Sequence, residues 1–247
     1  MSDTLLYSVA GGVASFTLSR PHVMKALDPA AIERLRDACV QACDDTTVRC
    51  IVLRGNGPAF FAGAVHRQIL RPMHQTITTL RRAPKPVLAS VHGTVTGAGM
   101  SLLAAADLAI AASDAQFTLA YSKIGASPDG GLSWFLPRLV GSRKALELML
   151  LPDSFDADKA LALGLVNWVT SSADLASETD KIAQRLAHGP TFAFGQIKAL
   201  VNESFERSLE TQLGAEVHSF GLCAGTADLA EGMSALVEKR NPVFKGK

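Results

Sequence analysis

The chain has 247 residues, 48% of them hydrophobic and 19% charged, with 24 basic against 23 acidic side chains and a net charge of +1. This balance excludes a disordered chain, and the lack of a long basic run excludes nucleic acid as the main partner. The length suits one large domain with a sizeable core. Met1-Ser2-Asp3-Thr4 opens no basic and apolar leader, and no apolar run reaches the roughly 18 residues of a membrane span. A soluble, cytoplasmic protein with no membrane partner is expected.

Leu5 to Ala10 and Val13 to Leu18 alternate in polarity and are joined by Gly11-Gly12, which predicts a hairpin. Asp28-Pro29 reads as an N-cap followed by a first-turn proline. Ile32, Leu35, Ala38, Cys39 and Ala42 then form one helical stripe. Strands are predicted at Cys50–Arg54, Val87–Val91 and Leu108–Ala112, with a helix from about Val65 to Arg82 between the first two. Alternation of this kind implies a largely parallel sheet with right-handed crossovers. From Gly130 onward the chain reads as helical: Leu132–Leu139, Arg143–Leu151, Ala157–Leu163, Leu175–His188, Thr191–Leu209, Leu213–Leu222 and Thr226–Lys239. Cys39, Cys43, Cys50 and Cys223 show no metal-ligand spacing, and reduced core packing is expected of them, with no metal.

Two stretches share one design. In the first, Cys50–Arg54 runs through Gly55-Asn56-Gly57-Pro58 into Ala59-Phe60-Phe61-Ala62-Gly63-Ala64 and a helix. In the second, Val87–Val91 runs through His92-Gly93 to Gly97-Ala98-Gly99 and the helix-prone Met100–Ala106. A strand, a small-residue loop and a helix start leave backbone N–H groups free, and two such junctions can aim two donors at one oxygen. The same small residues also serve close helix–sheet packing. No Gly-Lys-Ser/Thr follows these glycines and no Gly-x-Gly-x-x-Gly is present, so neither a P-loop nor a dinucleotide fingerprint is indicated.

In order along the chain come Ser19-Arg20-Pro21, Lys25-Ala26-Leu27, Ala59–Ala64, Val91-His92-Gly93 with Gly97-Ala98-Gly99, Pro128-Asp129-Gly130-Gly131, Ala160 to Val166, and Glu231-Gly232-Met233 with Glu238-Lys239-Arg240. Together they resemble the crotonase (enoyl-CoA hydratase/isomerase) superfamily over nearly the whole chain. The resemblance implies an α/β fold with a β-β-α spiral core over residues 1–190. A C-terminal helical region over 191–247 would close over the site and make the contacts of a homotrimer or hexamer. It implies an acyl-CoA substrate and no cofactor beyond the coenzyme A of that substrate.

The resemblance also implies roles for individual residues. The backbone N–H groups of Ala64 and Ala98 would hold the thioester oxygen. Lys25, Ala26, Ala62, Gly63, Gly97 and Phe244 fall in regions that contact the coenzyme, Phe244 often across a subunit contact. The hydratases' two glutamates are replaced by Ser101 and Tyr121, and Tyr121 is a candidate to bond either the substrate or Asp129. Asp129 stands where a subset of the superfamily carries its acid/base aspartate. Leu132, Trp134 and Phe135 just beyond it are expected to face the acyl pocket. A dehalogenase branch pairs such an aspartate with a histidine in the preceding helix, which makes His74 a further candidate, while His66 reads as solvated and His92 as a structural strand end. The expected activity is a shift of the double bond of a 3-enoyl-CoA to the 2-position through a stabilised enolate. The alternatives are an enoyl-CoA hydratase with atypical acid/base residues and a non-catalytic acyl-CoA-binding homologue.

Overall fold

The computed structural model describes residues 5–19, 29–61 and 67–247. The hairpin forms as predicted, with β1 (Leu5–Ala10) antiparallel to β2 (Val13–Ser19) and Gly11 and Gly12 both in the left-handed conformation that such a two-residue turn requires. Helix α1 (Pro29–Asp44) buries the predicted stripe of Ile32, Leu35, Ala38, Cys39 and Ala42.

Thereafter the chain repeats one path. Strand β3 (Cys50–Asn56) leads through a short β4 (Ala59–Phe61) into α2 (Arg67–Arg82). Strand β5 (Val87–Val91) leads through β6 (Thr94–Thr96) into α3 (Ala98–Ala105), and β7 (Leu108–Ala112) leads through β8 (Gln116–Thr118) towards α4 (Leu132–Val140). The first strand of each turn joins a large sheet that runs β1-β2-β3-β5-β7, the second joins a smaller sheet that runs β4-β6-β8, and one later strand extends each. This is the expected β-β-α spiral.

Helix α5 (Ser142–Leu150), β9 (Phe155–Asp156), α6 (Ala157–Ala162) and β10 (Trp168–Thr170) follow, with β9 antiparallel to β8 and β10 parallel to β7. The two- and three-residue strands β4, β6, β8, β9 and β10 were not expected, because so short a segment shows no alternation to read.

The central strands β3, β5 and β7 of the large sheet are buried on both faces, and the two-residue period divides their side chains. Ile51, Leu53, Val87, Ala89 and Val91 join the main core beneath α1, α2, α3 and α4. Cys50, Val52, Leu88 and Ile110 face α7 (Leu175–Ala187), whose Leu175, Ala183 and Ala187 cover the other side. All four cysteines are free thiols, two of them fully buried.

The predicted helix Thr191–Leu209 ends six residues early, and the one predicted over Leu213–Leu222 begins four residues sooner. Helix α8 (Thr191–Glu203) gives way to a 3-10 turn at Ser204–Glu206, and α9 (Leu209–Ala224) restarts on Ser208, whose hydroxyl accepts from Thr211 N. The N-cap serine ends the run that the apolar spacing alone would have continued. Helix α10 (Ala227–Glu238) is capped in the same way by Thr226. Among the described residues no helix is long and apolar enough to cross a membrane, and no group of three His, Cys, Asp or Glu side chains could hold a metal ion.

Candidate active site

The site is built on the α3 junction. Gly97 caps α3 with φ 53° and ψ −122°, a backbone that glycine alone adopts without strain. Ala98 is thus the first helical residue, and its amide belongs to the first-turn set that has no intrahelical acceptor. It is 4% exposed. Helix α3 is buried along its whole length, and its one polar side chain in that length is Ser101, three residues on and fully buried. Positions three apart lie on one helix face, so Ser101 sits one turn behind Ala98.

Against this face lies the Pro128-Asp129-Gly130-Gly131 turn. Ser101 Oγ donates to the carbonyl oxygen of Asp129 at 3.0 Å. Gly130 has φ +57°, and a Cβ placed there would stand 2.8 Å from Ser101 Cβ and 3.2 Å from Cδ1 of Ile77 on α2. Gly131, also left-handed at φ 77°, starts α4, and Trp134 N bonds back to its carbonyl at 2.8 Å. Two glycines in the left-handed region are what let the chain turn this tightly against α3 and present Asp129 at its rim.

Tyr121 completes the cluster. It lies three residues beyond β8, at the start of a 3-10 turn over Ser122–Ile124, and is 9% exposed. Its hydroxyl donates to Asp129 Oδ1 at 2.8 Å and lies 3.5 Å from Ser101 Oγ. Burial pushes the Tyr121 phenol well above its ordinary range, and the neighbouring Asp129 charge acts in the same direction. The phenol is therefore a neutral donor around pH 7. Ser101 and Tyr121 are uncharged, so Asp129 is the one carboxylate among these three side chains.

Other predicted residues are placed elsewhere. His74 is exposed and lines a separate depression with Cys43, Arg71, Gln75 and Arg82, while the buried face of α2 presents Ile77 to the turn. The aspartate–histidine pair of the dehalogenase pattern is not assembled. Leu132 and Phe135 are buried, but Trp134 does not face Asp129. It packs under the Arg138 guanidinium at 3.7 Å and lines a cleft of about 450 Å³ shared with Arg81, Phe194 and Phe205. His92 has the structural role expected of it, its Nε2 lying 2.9 Å from the carbonyl of Gly57.

Phe244 lies against Gly232 of α10, and its carbonyl accepts from Arg49 Nη1 at 3.1 Å. Arg49 directly precedes β3, at the opposite end of that strand from the one that leads into β4 and α2. Lys25, Ala26, Ala62, Gly63, Ala64 and His66 lie outside the described residues.

A sequence model of the enoyl-CoA hydratase/isomerase family matches residues 8–247. The chain belongs to that family. Within the enoyl-CoA hydratase/isomerase family it is similar to the 1,2-epoxyphenylacetyl-CoA isomerase of Escherichia coli K12, at 34% identity over 262 residues covering 100% of both chains. It is likewise 34% identical over 247 residues to the crotonyl-CoA hydratase of Syntrophomonas wolfei, covering 95% of each. The crystal structure of an enoyl-CoA hydratase from Polaromonas sp. JS666 superposes with a TM-score of 0.91 at 32% identity, covering 98% of this chain and 99% of that one. The protein is thus an enzyme of the crotonase superfamily. Sequence alone singled out Asp129 and positions 101 and 121, and the structure brings these three residues together. The donation from Tyr121 was one of two options, and the Ser101 clamp on the turn was missed, because both depend on how the turn docks on α3.

Proposed function

We propose that the protein is an enoyl-CoA isomerase that moves the double bond of a 3-enoyl-CoA to the 2-position, with Asp129 as the proton carrier. The observation that supports it most is the single carboxylate: Asp129 lies beside the first turn of α3, and the two neighbouring polar groups are neutral hydroxyls already bonded to its turn. In this reading the thioester oxygen takes hydrogen bonds from the Ala98 and Ala64 amides, each contributing about 3 kcal/mol to the transition state. Asp129 removes a proton from C2, the electron pair spreads over the dienolate, and the same proton returns at C4. A 1,3-shift needs one group that takes and then gives a proton. Water addition needs a positioned acid and base together.

Lys25, Ala26, Ala62, Gly63 and Gly97 hold the coenzyme in this reading, and Phe244 meets it across a subunit contact of a homotrimer or hexamer. No metal and no further cofactor takes part. The hydratase reading is favoured by the relative from Syntrophomonas wolfei, named a crotonyl-CoA hydratase, and it would have Asp129 act on a water held by Ser101 or Tyr121. Rates on a 3-enoyl-CoA and on crotonyl-CoA, measured side by side, separate the two. Isomerisation is expected to dominate, and hydration in large excess would reverse the assignment. Asp129→Asn keeps the size of the side chain and removes the base, and a loss of at least about 100-fold in kcat is expected, with little change in acyl-CoA affinity.

A further inference from the structure

We propose that Tyr121 is a positioning residue that makes Asp129 a one-oxygen proton carrier. This deepens the isomerase reading and rests on it. The hydrogen positions in the cluster are ordered by what each group can do. A backbone carbonyl only accepts, so the Ser101 proton points at Asp129 O, 3.0 Å away. The Tyr121 hydroxyl has one proton, and its shortest contact is to Asp129 Oδ1 at 2.8 Å, against 3.5 Å to Ser101 Oγ. The ring is held in turn by its own backbone: Tyr121 N donates to Leu119 O at 2.8 Å, and Tyr121 O accepts from Ile124 N and Ala126 N at 3.1 and 3.0 Å. Oδ1 is thereby committed, and Oδ2 is the oxygen that exchanges a proton with a carbon acid.

The consequence appears once the proton has moved. The C2–H bond breaks and an Oδ2–H bond forms, and the phenol goes on donating to Oδ1, now the carbonyl oxygen of a carboxylic acid. Rotating the carboxyl to turn its O–H away from the substrate would forfeit that bond. The proton stays on the oxygen that received it until the Oδ2–H bond breaks and the C4–H bond forms, while the C3=C4 pair becomes C2=C3. No electron is gained or lost.

The test is the isomerisation, in ordinary water, of a 3-enoyl-CoA deuterated at C2, with the label at C4 of the product counted by NMR. Wild-type protein is expected to retain most of the transferred label. Tyr121→Phe should lower kcat about 10-fold with KM within about twofold, and should lower the label at C4 at least about threefold as the freed carboxyl exchanges with solvent. A rate loss with the label partition unchanged would mean that the ring only fills space, and would overturn the proposal, as would a wild-type product without label. Asp129→Asn tests the parent reading separately. If the wild type isomerises no 3-enoyl-CoA, that reading fails, and positioning is then read from the Asp129 carboxyl ¹³C resonance, which must move in Tyr121→Phe. An unmoved resonance overturns it.

Discussion

At the scale of single residues, the cluster depends on where a backbone can bend. Gly130 has φ +57°, and a side chain there would press on Ser101 and Ile77 at once. Gly130→Ala should therefore displace Asp129 from Tyr121 as well as add about 1–2 kcal/mol of left-handed backbone strain. A fall of at least about tenfold in kcat is expected, together with a lower urea midpoint. Full activity in this variant would show that the turn has room to relax. Gly130 could be picked out in sequence as a turn former. Its contact with Ser101, 29 positions earlier, could not, because nothing local says which helix the turn will meet.

At the scale of elements, two buried lysines tie helices to the sheet. Lys85 Nζ donates to the carbonyls of Ala42 and Asp45 at 2.7 and 2.6 Å, closing the end of α1. Lys198 of α8 donates to Leu80 O at 2.7 Å, which closes α2, and pairs with Asp107 Oδ2 at 2.7 Å. The same Asp107 oxygen accepts from Val87 N at 2.8 Å. One ion pair thus fastens α8 to the start of β5. Lys198→Met leaves the half-buried Asp107 without its cation and should cost up to about 3 kcal/mol, read from denaturant midpoints. Adding Asp107→Asn should recover part of the loss, and strictly additive losses would show that the pair does not interact.

The strands β3, β5 and β7 were legible because each has four or five apolar residues in five consecutive positions. The second-sheet strands were not, since two or three residues carry no period and form only where the first sheet's crossovers bring them side by side. Phe194, Ile197 and Val201 of α8 stand at helical spacing, but Ile197 and Val201 are both 57% exposed, and spacing alone does not say whether an apolar face meets its own core or another surface.

At the scale of the whole molecule, that exposure continues. Leu209, Val217, Phe220, Leu236 and Val237 on α9 and α10 are 68% to 79% exposed, more apolar surface on two helices than a free monomer carries comfortably. We expect light scattering to give a multiple of the 26.1 kDa chain mass, three or six subunits. A single-chain mass at micromolar concentration would contradict this.

The C-terminal tail is fixed by α10: Arg240 Nη1 and Nη2 bond the Glu231 carboxylate at 2.5 and 2.9 Å, and Val243 N donates to it at 2.8 Å. The Arg240 bonds, then the Val243 amide, lower the Glu231 carboxyl to about 2. A depressed carboxyl stabilises the docked tail above its unfolded value, and that contribution is lost as pH falls through the folded one. The stabilisation that Glu231 gives the tail should be complete above about pH 4.5 and be lost as pH falls towards about 2. A Glu231 carboxyl titration by NMR with a midpoint near 4.5 would refute this.

Arg49 gives the fold an order in time. Its guanidinium holds the carbonyl of Gly189 at 2.5 Å, the hydroxyl of Thr191 at 3.0 Å and the carbonyl of Phe244 at 3.1 Å, partners 140, 142 and 195 positions downstream. On a ribosome that releases the chain from its N-terminus, Arg49 leaves the exit tunnel long before any of the three exists. The early strands can pair while synthesis continues, but this end of the sheet is secured only when the last residues have been made.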